Sequence, residues 1–204
     1  MKLSLLLVGS GKMGQAMLGG WIDKGIRPAD IVVVDPGPEN LAIAARLGCQ
    51  AVATVDDIPK AFRPDVLVLA VKPQVILDVL PTYRAFAAAG SLIISIAAGT
   101  RLATFGAAFG ADAAIIRTMP NTPAAVHQGM MVSCANASVS PAQRGICDQL
   151  MQAIGEVAWV EDEALMDAVT GLSGSGPAYV FYMIECMAEA GVKAGLPEAL
   201  AVQL

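Results

Sequence analysis

Short apolar runs alternate with longer mixed stretches through the first three-quarters of the chain. Residues 3–8, 31–34, 51–53, 66–70, 92–96 and 113–117 are apolar at nearly every position, with no regular polar alternation. Continuous apolar character over four to six residues predicts strands covered on both faces, as in a parallel sheet. The intervening stretches predict helices near 12–24, 38–47, 74–88 and 101–109. Strands that alternate with helices predict an α/β fold built on a doubly wound parallel sheet. Two further strands, 129–134 and 156–160, flank a helix at 141–153. Ligands of such sheets bind beyond the carboxyl ends of the strands, near the switch in strand order. The loops that follow strands are therefore the places to look for chemistry.

The pattern changes near residue 160. Glu161-Asp162-Glu163 places acidic residues where a helix would start, and the helix dipole favours them there. Gly171-Leu172-Ser173-Gly174-Ser175-Gly176-Pro177 reads as a flexible joint, with Ser175 as N-cap and Pro177 near the first helical position. The helix from Pro177 to about Ala194 is apolar around most of its circumference, Gly195 suits its C-terminal cap, and Pro197 starts another helix. This divides the chain into residues 1–160 and residues 161–204, the second being the start of an all-α domain.

The loop after the first strand carries the sharpest chemical signal. Val8-Gly9-Ser10-Gly11-Lys12-Met13-Gly14 is a Gly-x-Gly-x-x-Gly between a buried strand and a helix, the arrangement that seats a dinucleotide diphosphate in a Rossmann-type fold. Gly9 permits the tight turn, Gly11 lets phosphates approach the backbone, and Gly14 lets the helix pack close to the strand. The free N–H groups and positive end of that helix then face the anion. Asp35 closes the second strand about 20 residues later, where an acidic group accepts from an adenosine ribose. The bare alternative is a glycine-rich turn with a capping Asp and no ligand.

Three later loops are less decisive. Lys72, in Ala70-Val71-Lys72-Pro73, either lies near phosphate or ribose or is a solvated lysine in an ordinary strand–helix turn. Ala97-Ala98-Gly99-Thr100 either lets backbone approach a flat ring or is a tight turn with Thr100 as N-cap. Thr118-Met119-Pro120-Asn121-Thr122-Pro123 is stiffened by two prolines, and Asn121 offers donor and acceptor to a pocket or to solvent.

Composition narrows the classes. Of 204 residues, 55% are hydrophobic and 15% charged, which exceeds the usual apolar share and predicts an oligomer. A net charge of −5 with no basic run argues against nucleic acid as a main partner. The four cysteines include no Cys-x-x-Cys pair, and with a single histidine, His127, a metal site is not expected; His127 is assigned to the surface. Met1-Lys2 and the following apolar run resemble an export signal but stop too soon at Gly9, and no stretch is apolar enough for a membrane span. The expectation is a soluble cytoplasmic protein. Gly171-Leu172-Ser173-Gly174-Ser175 is not a nucleophile elbow, since its fifth residue is Ser.

Taken in order, Gly9-Ser10-Gly11-Lys12-Met13-Gly14, Ala70-Val71-Lys72-Pro73, Ser95-Ile96-Ala97-Ala98-Gly99, Met119-Pro120-Asn121-Thr122-Pro123 and Val169-Thr170-Gly171-Leu172-Ser173-Gly174-Ser175-Gly176-Pro177-Ala178-Tyr179 resemble the pyrroline-5-carboxylate reductases. The resemblance implies hydride transfer from NADP(H) or NAD(H) to the ring imine of 1-pyrroline-5-carboxylate, giving L-proline. It implies that Val8 to Gly14 hold the diphosphate, that Asp35 and Pro36 lie beside the adenosine ribose, and that Ala70, Val71, Lys72, Pro73, Ala97 and Ala98 run along the dinucleotide. It places Glu163 near the substrate amine, with Asn121 against the carboxamide or in the pocket; Glu163 also reads as a plain first-turn acid. It implies a homodimer or higher oligomer through the helical domain, with the active site at the junction. No residue is singled out as a proton donor.

Two departures shape the expectation. The sequence ends at Leu204, before the further helices and the Ser-Pro-Gly-Gly-Thr-Thr loop that hold substrate in the family, so this form is expected to bind cofactor better than it catalyses. The family often carries Ser or Thr where Asp35 stands, and a carboxylate there predicts that NAD(H) competes well with NADP(H). The competing readings are a related reductase of another imine or of a deazaflavin, and a non-catalytic dinucleotide-binding protein.

Overall fold

The computed structural model describes residues 3–204. Met1 and Lys2, the charged head of the run weighed as an export signal, lie outside the described residues. Eight strands form one sheet among the described residues: β1 (Leu5–Val8), β2 (Ile31–Val34), β3 (Gln50–Val52), β4 (Val66–Leu69), β5 (Leu92–Ser95), β6 (Ile115–Met119), β7 (Gly129–Ala135) and β8 (Gly155–Trp159). Their spatial order is β3-β2-β1-β4-β5-β6-β7-β8. From β3 to β6 every pairing is parallel, with Leu5 opposite both Ile31 and Val66. Strand order therefore reverses between β1 and β4, and the crevice opens beyond Val8 and Leu69.

The continuous apolar runs are explained by burial on both faces. Leu5 and Leu7 join Met17, Leu18 and Trp21 of α1 (Lys12–Asp23) in one core, which also takes Leu150 and Met151. Leu6 and Val8 point the other way, into a second core with Ile76, Tyr83, Phe105 and Phe109. Trp21 is fully buried, and its Nε1 donates to the Leu150 carbonyl at 2.9 Å. That bond ties α1 to the end of the helix between β7 and β8. After β2 comes α2 (Pro38–Arg46), with Pro38 at the first helical position, where its missing N–H costs nothing.

Several expectations need correcting. The sheet is not wholly parallel: β7 runs antiparallel to β6, with Met119 opposite Val132. The connection from 120 to 128 is too short to cross the sheet, so the chain must return at the same end. The stretch 74–88 is not one helix. It divides into a 3₁₀ turn at Pro73–Val75, α3 (Ile76–Val79), another 3₁₀ turn at Leu80–Tyr83 and α4 (Arg84–Ala88). Pro81 lacks the N–H and crowds the preceding turn, so a continuous α-helix cannot pass it. Thr100 does not cap α5 (Leu102–Phe109); Arg101 holds the N-cap position, without a side-chain cap from its own segment. Beyond it, α6 (Pro141–Met151) starts with a capping box between Ser140 and Gln143.

The segment read as a flexible joint is helical throughout. Asp162 caps a 3₁₀ turn at Glu163–Leu165, accepting from the Ala164 N–H at 2.9 Å. It leads into α7 (Met166–Val169), then a π-helical turn at Thr170–Gly174, then α8 (Gly176–Lys193). Ser175 holds the N-cap position of α8 with Pro177 in its first turn, as the sequence predicts, but its backbone angles are helical (φ −88, ψ −21) and its side chain makes no capping bond. Its N–H donates to the Thr170 carbonyl at 2.8 Å, the wider spacing of a π turn. Gly174 lies against the end of the Met119 side chain, which would have to shift to admit a Cβ. Gly195 closes α8 at φ +101, as the sequence predicts, and α9 (Glu198–Gln203) follows. No residue of α8 is buried. Among the described residues no helix is long and apolar enough to cross a membrane.

Candidate cofactor and substrate site

The glycine loop takes the conformation its three glycines allow. Gly9 sits at φ +90, and a Cβ there would come within 2.8 Å of the Ala70 carbonyl. Gly14 presses on the Gly9 carbonyl oxygen, where no Cβ fits. Gly11 is the opposite case. Its missing side chain faces open space, with nothing within 4 Å of where a Cβ would stand. Gly11 is also the N-cap of α1, and no side chain caps that helix. The first N–H groups of α1 thus look into open space at the positive end of the helix dipole. An anionic diphosphate fits this cradle by charge, by room and by unmet donors. Ser10 Oγ, in the same loop, is buried without a hydrogen-bond partner among the described residues.

The neighbouring loops close around this end. The Ala70 N–H donates to the Val8 carbonyl at 2.7 Å, which lays 70–73 against Gly9. Val71 is half-buried, while Lys72 and Pro73 are exposed at the lip. Ala97 is buried, its N–H donating to Ser95 Oγ at 3.2 Å, and Ala98 is half-buried beside Gly99 at φ +73. Asp35 lies at the end of β2 and is 6% exposed. Its carboxylate turns to protein donors: Oδ2 accepts from the Ser10 N–H at 2.7 Å, and Oδ1 accepts from the Gly37 N–H at 2.8 Å and from Asn40 Nδ2 at 3.1 Å. Pro36 next to it is exposed.

The two residues expected near substrate occupy separate joints. Asn121 Oδ1 accepts from the Met130 N–H at 2.9 Å, and its Nδ2 donates to the Ser173 carbonyl at 3.3 Å. It therefore fastens the loop after β6 to the π turn. Together with Pro123, Leu172, Pro177, Tyr179 and Phe181 it lines a largely apolar concavity of about 540 Å³. Glu163 lies elsewhere. Its Oε1 accepts from the Leu102 N–H at 2.6 Å and pairs with Arg117 of β6, whose side chain is 7% exposed. A carboxylate 61 residues downstream thus supplies the N-terminal acceptor that Thr100 was expected to give α5. Glu163 Oε2 receives no hydrogen bond among the described residues.

Sequence reading missed Arg117, Gln15, Asn40 and Ser173. Arg117 left one signal, a charge following Ala113-Ala114-Ile115-Ile116 in a buried strand, which requires a partner. The other three left none: Gln15 meets Asn40 and Ser173 meets Asn121 across 25 and 52 residues, and the bonds of Gln15 to Ser10 and of Asn40 to Asp35 depend on how the loops turn. The buried thiols offer no nucleophile: burial pushes Cys49 and Cys147 up to about 11, which keeps them protonated.

Comparison with known proteins identifies the family. A family model described as pyrroline-5-carboxylate reductase dimerisation matches residues 163–204, and one described as NADP oxidoreductase, coenzyme F420-dependent, matches residues 4–99. A curated pyrroline-5-carboxylate reductase from a Synechocystis species is 43% identical over 205 residues, covering 100% of this chain and 75% of the relative. The chain belongs to the pyrroline-5-carboxylate reductase family. A solved family member from Coxiella burnetii superposes with a TM-score of 0.90 at 31% identity, covering 100% of this chain and 75% of the other. A Plasmodium falciparum pyrroline carboxylate reductase, solved with NADP bound, gives 0.86 at 28% identity over 100% and 74%. The family is one of NAD(P)-dependent oxidoreductases, and the dimerisation match begins at Glu163, the residue that ties the helical segment to α5 and β6.

Proposed function

We infer that this chain reduces 1-pyrroline-5-carboxylate to L-proline with NADP(H) or NAD(H). The observation that carries the reading is the uncapped N-terminus of α1 beside Gly11, at the reversal of strand order in a chain whose whole length aligns with 75% of a family member. The reduced dinucleotide, when bound, supplies hydride to the carbon of the ring C=N bond. Residues 1–160 form the dinucleotide-binding domain, and 161–204 begin the helical domain that serves dimerisation and substrate. Gly9, Ser10, Gly11, Lys12, Met13 and Gly14 hold the diphosphate after Val8. Asp35 and Pro36 stand at the ribose end of the groove. Ala70, Val71, Lys72 and Pro73 form one wall and Ala97 and Ala98 the other.

The chain's contribution to the chemistry is alignment and charge. A protonated imine is already a good electrophile, so holding its carbon at near-attack distance supplies most of the rate. Glu163 Oε2 is placed in this reading to favour the iminium electrostatically, while Oε1 keeps the α5 terminus in place. Asn121 anchors the pocket side through the π turn.

A second copy completes the assembly in the same proposal. Tyr179, Phe181, Tyr182, Met183 and Met187 of α8 are each more than half exposed, an apolar surface that a homodimer or higher oligomer would cover. The four unpaired cysteines suit a cytoplasmic, reducing location.

The F420-dependent match favours a second reading, a reductase using or acting on a deazaflavin, but it spans only the dinucleotide half, 4–99. An absorbance assay of NADPH and NADH oxidation with pyrroline-5-carboxylate as substrate decides. Substrate-dependent oxidation is expected with at least one dinucleotide. Tight dinucleotide binding with no oxidation would leave the non-catalytic binding protein instead.

A further inference from the structure

The Asp35 carboxylate reaches back from the end of β2 to the glycine loop. The loop Gly9-Ser10-Gly11 is backbone with little side chain to hold it, and such segments lose more freedom on ordering than any other. Ser10 is nevertheless gripped from both sides. Its N–H donates to Asp35 Oδ2 at 2.7 Å, a charge-assisted bond inside the fold. Its carbonyl accepts from Gln15 Nε2 at 2.8 Å. Gln15 Nε2 also donates to Asn40 Oδ1 at 3.0 Å, and Asn40 Nδ2 donates to Asp35 Oδ1 at 3.1 Å. The four residues close a ring that joins the glycine loop, the end of β2 and the first turns of α1 and α2. The Asp35 carboxylate, 6% exposed, spends both oxygens on this ring and on the Gly37 N–H.

We propose that Asp35 is a positioning residue: with Gln15 and Asn40 it holds Ser10, and through Ser10 the N–H groups that follow Gly11, in the conformation that meets a dinucleotide diphosphate. The proposal rests on the reading that the dinucleotide sits at this loop, and it changes what Asp35 does there. A ribose acceptor discriminates between NADH and NADPH, because the two differ at the 2′ position. A residue that shapes the diphosphate cradle does not, because the diphosphate is common to both.

The test is to titrate NADH and NADPH separately into the 204-residue chain and its variants by calorimetry, with thermal melting of each unliganded protein. Asp35→Asn replaces the carboxylate acceptor and is expected to weaken both dinucleotides by the same factor, about tenfold. Asn40→Ala is expected to weaken both by about threefold, and the double variant by no more than Asp35→Asn alone, since the two act in one ring. In turnover, KM for the dinucleotide should rise while kcat at saturation stays. Weaker NADH binding with NADPH unchanged or tighter would overturn the proposal in favour of a direct ribose contact. A lowered melting temperature with both affinities unchanged would overturn it in favour of a structural role alone. Should Asp35→Asn not fold, the same paired titrations on Asn40→Ala and Gln15→Ala decide by the same ratio. If the unsubstituted chain binds neither dinucleotide, the site reading itself has failed, a result distinct from any loss seen only in the variants.

Discussion

The strand-order crevice and the surface of α8 use similar residues to opposite ends. Around the crevice the apolar runs are consumed inside the chain: Leu5, Leu6, Leu7, Val66, Val68 and Ile94 have no exposure at all or are buried from both faces of the sheet. Polar groups there are mostly paired, Ser10 Oγ is buried without a partner among the described residues, and the first N–H groups of α1 are left without a side-chain cap. On α8, Phe181, Tyr182 and Met187 are 57%, 69% and 65% exposed. The first region has unmet hydrogen-bonding groups in a finished apolar core; the second has unmet apolar area on a finished helix. Unmet donors call for an anion, and unmet apolar area calls for another apolar surface.

The sharpest way to break this contrast is to fill the crevice. Gly11→Asp puts a carboxylate where the glycine has nothing within 4 Å, so the chain accommodates it while the diphosphate meets both bulk and like charge. Dinucleotide affinity is expected to fall by at least about a hundredfold, some 3 kcal/mol, with the circular dichroism spectrum unchanged. Unaltered affinity would separate the loop from the ligand.

The next effect is on the joint between the regions. Glu163→Ala leaves Arg117 in β6 without its carboxylate and the Leu102 N–H without its acceptor. Removal of one partner of this part-buried pair is expected to cost about 2 kcal/mol in denaturant unfolding. Glu163→Gln keeps an acceptor oxygen and should cost about half of that. Equal, negligible losses from both would show that the pair is solvated and does not hold the helical segment.

On α8 itself, Phe181→Glu with Met187→Glu should shift sedimentation toward the single chain and leave dinucleotide titration unchanged. The two regions would then be independent, as their separate deficits suggest. The smallest effect expected is a local one. Ser140→Ala removes the side-chain acceptor for the Gln143 N–H at the start of α6 and should cost about 1 kcal/mol of stability with no change in affinity or assembly.

Much of the crevice was legible because each requirement falls within one short segment. A strand buried on both faces must be apolar at successive positions, and β1, β2 and β4 are, as is β5 up to Ser95. A diphosphate loop needs glycine at three fixed steps, and each of Gly9, Gly11 and Gly14 answers a different steric demand. What stayed hidden joins distant segments or depends on direction. Apolar periodicity is blind to whether β7 runs up or down; only the short link before it bears on that. The acceptor for α5 comes from Glu163, so local capping rules pointed to Thr100 instead. The glycines at 171, 174 and 176 signal a joint in sequence, yet the same freedom serves a π turn and a close approach to Met119. Asp35 was legible as a residue of the crevice, but its bonds to Ser10 and Asn40 were not, because the fold sets them.

The central claim is that bare main chain at the start of α1 receives the dinucleotide. The most direct measurement is a crystal structure of the chain soaked with NADPH. The account predicts diphosphate oxygens within about 3 Å of N–H groups following Gly11, with Ser10 Oγ gaining a partner. Dinucleotide density elsewhere, with this helix end still facing solvent, would contradict it.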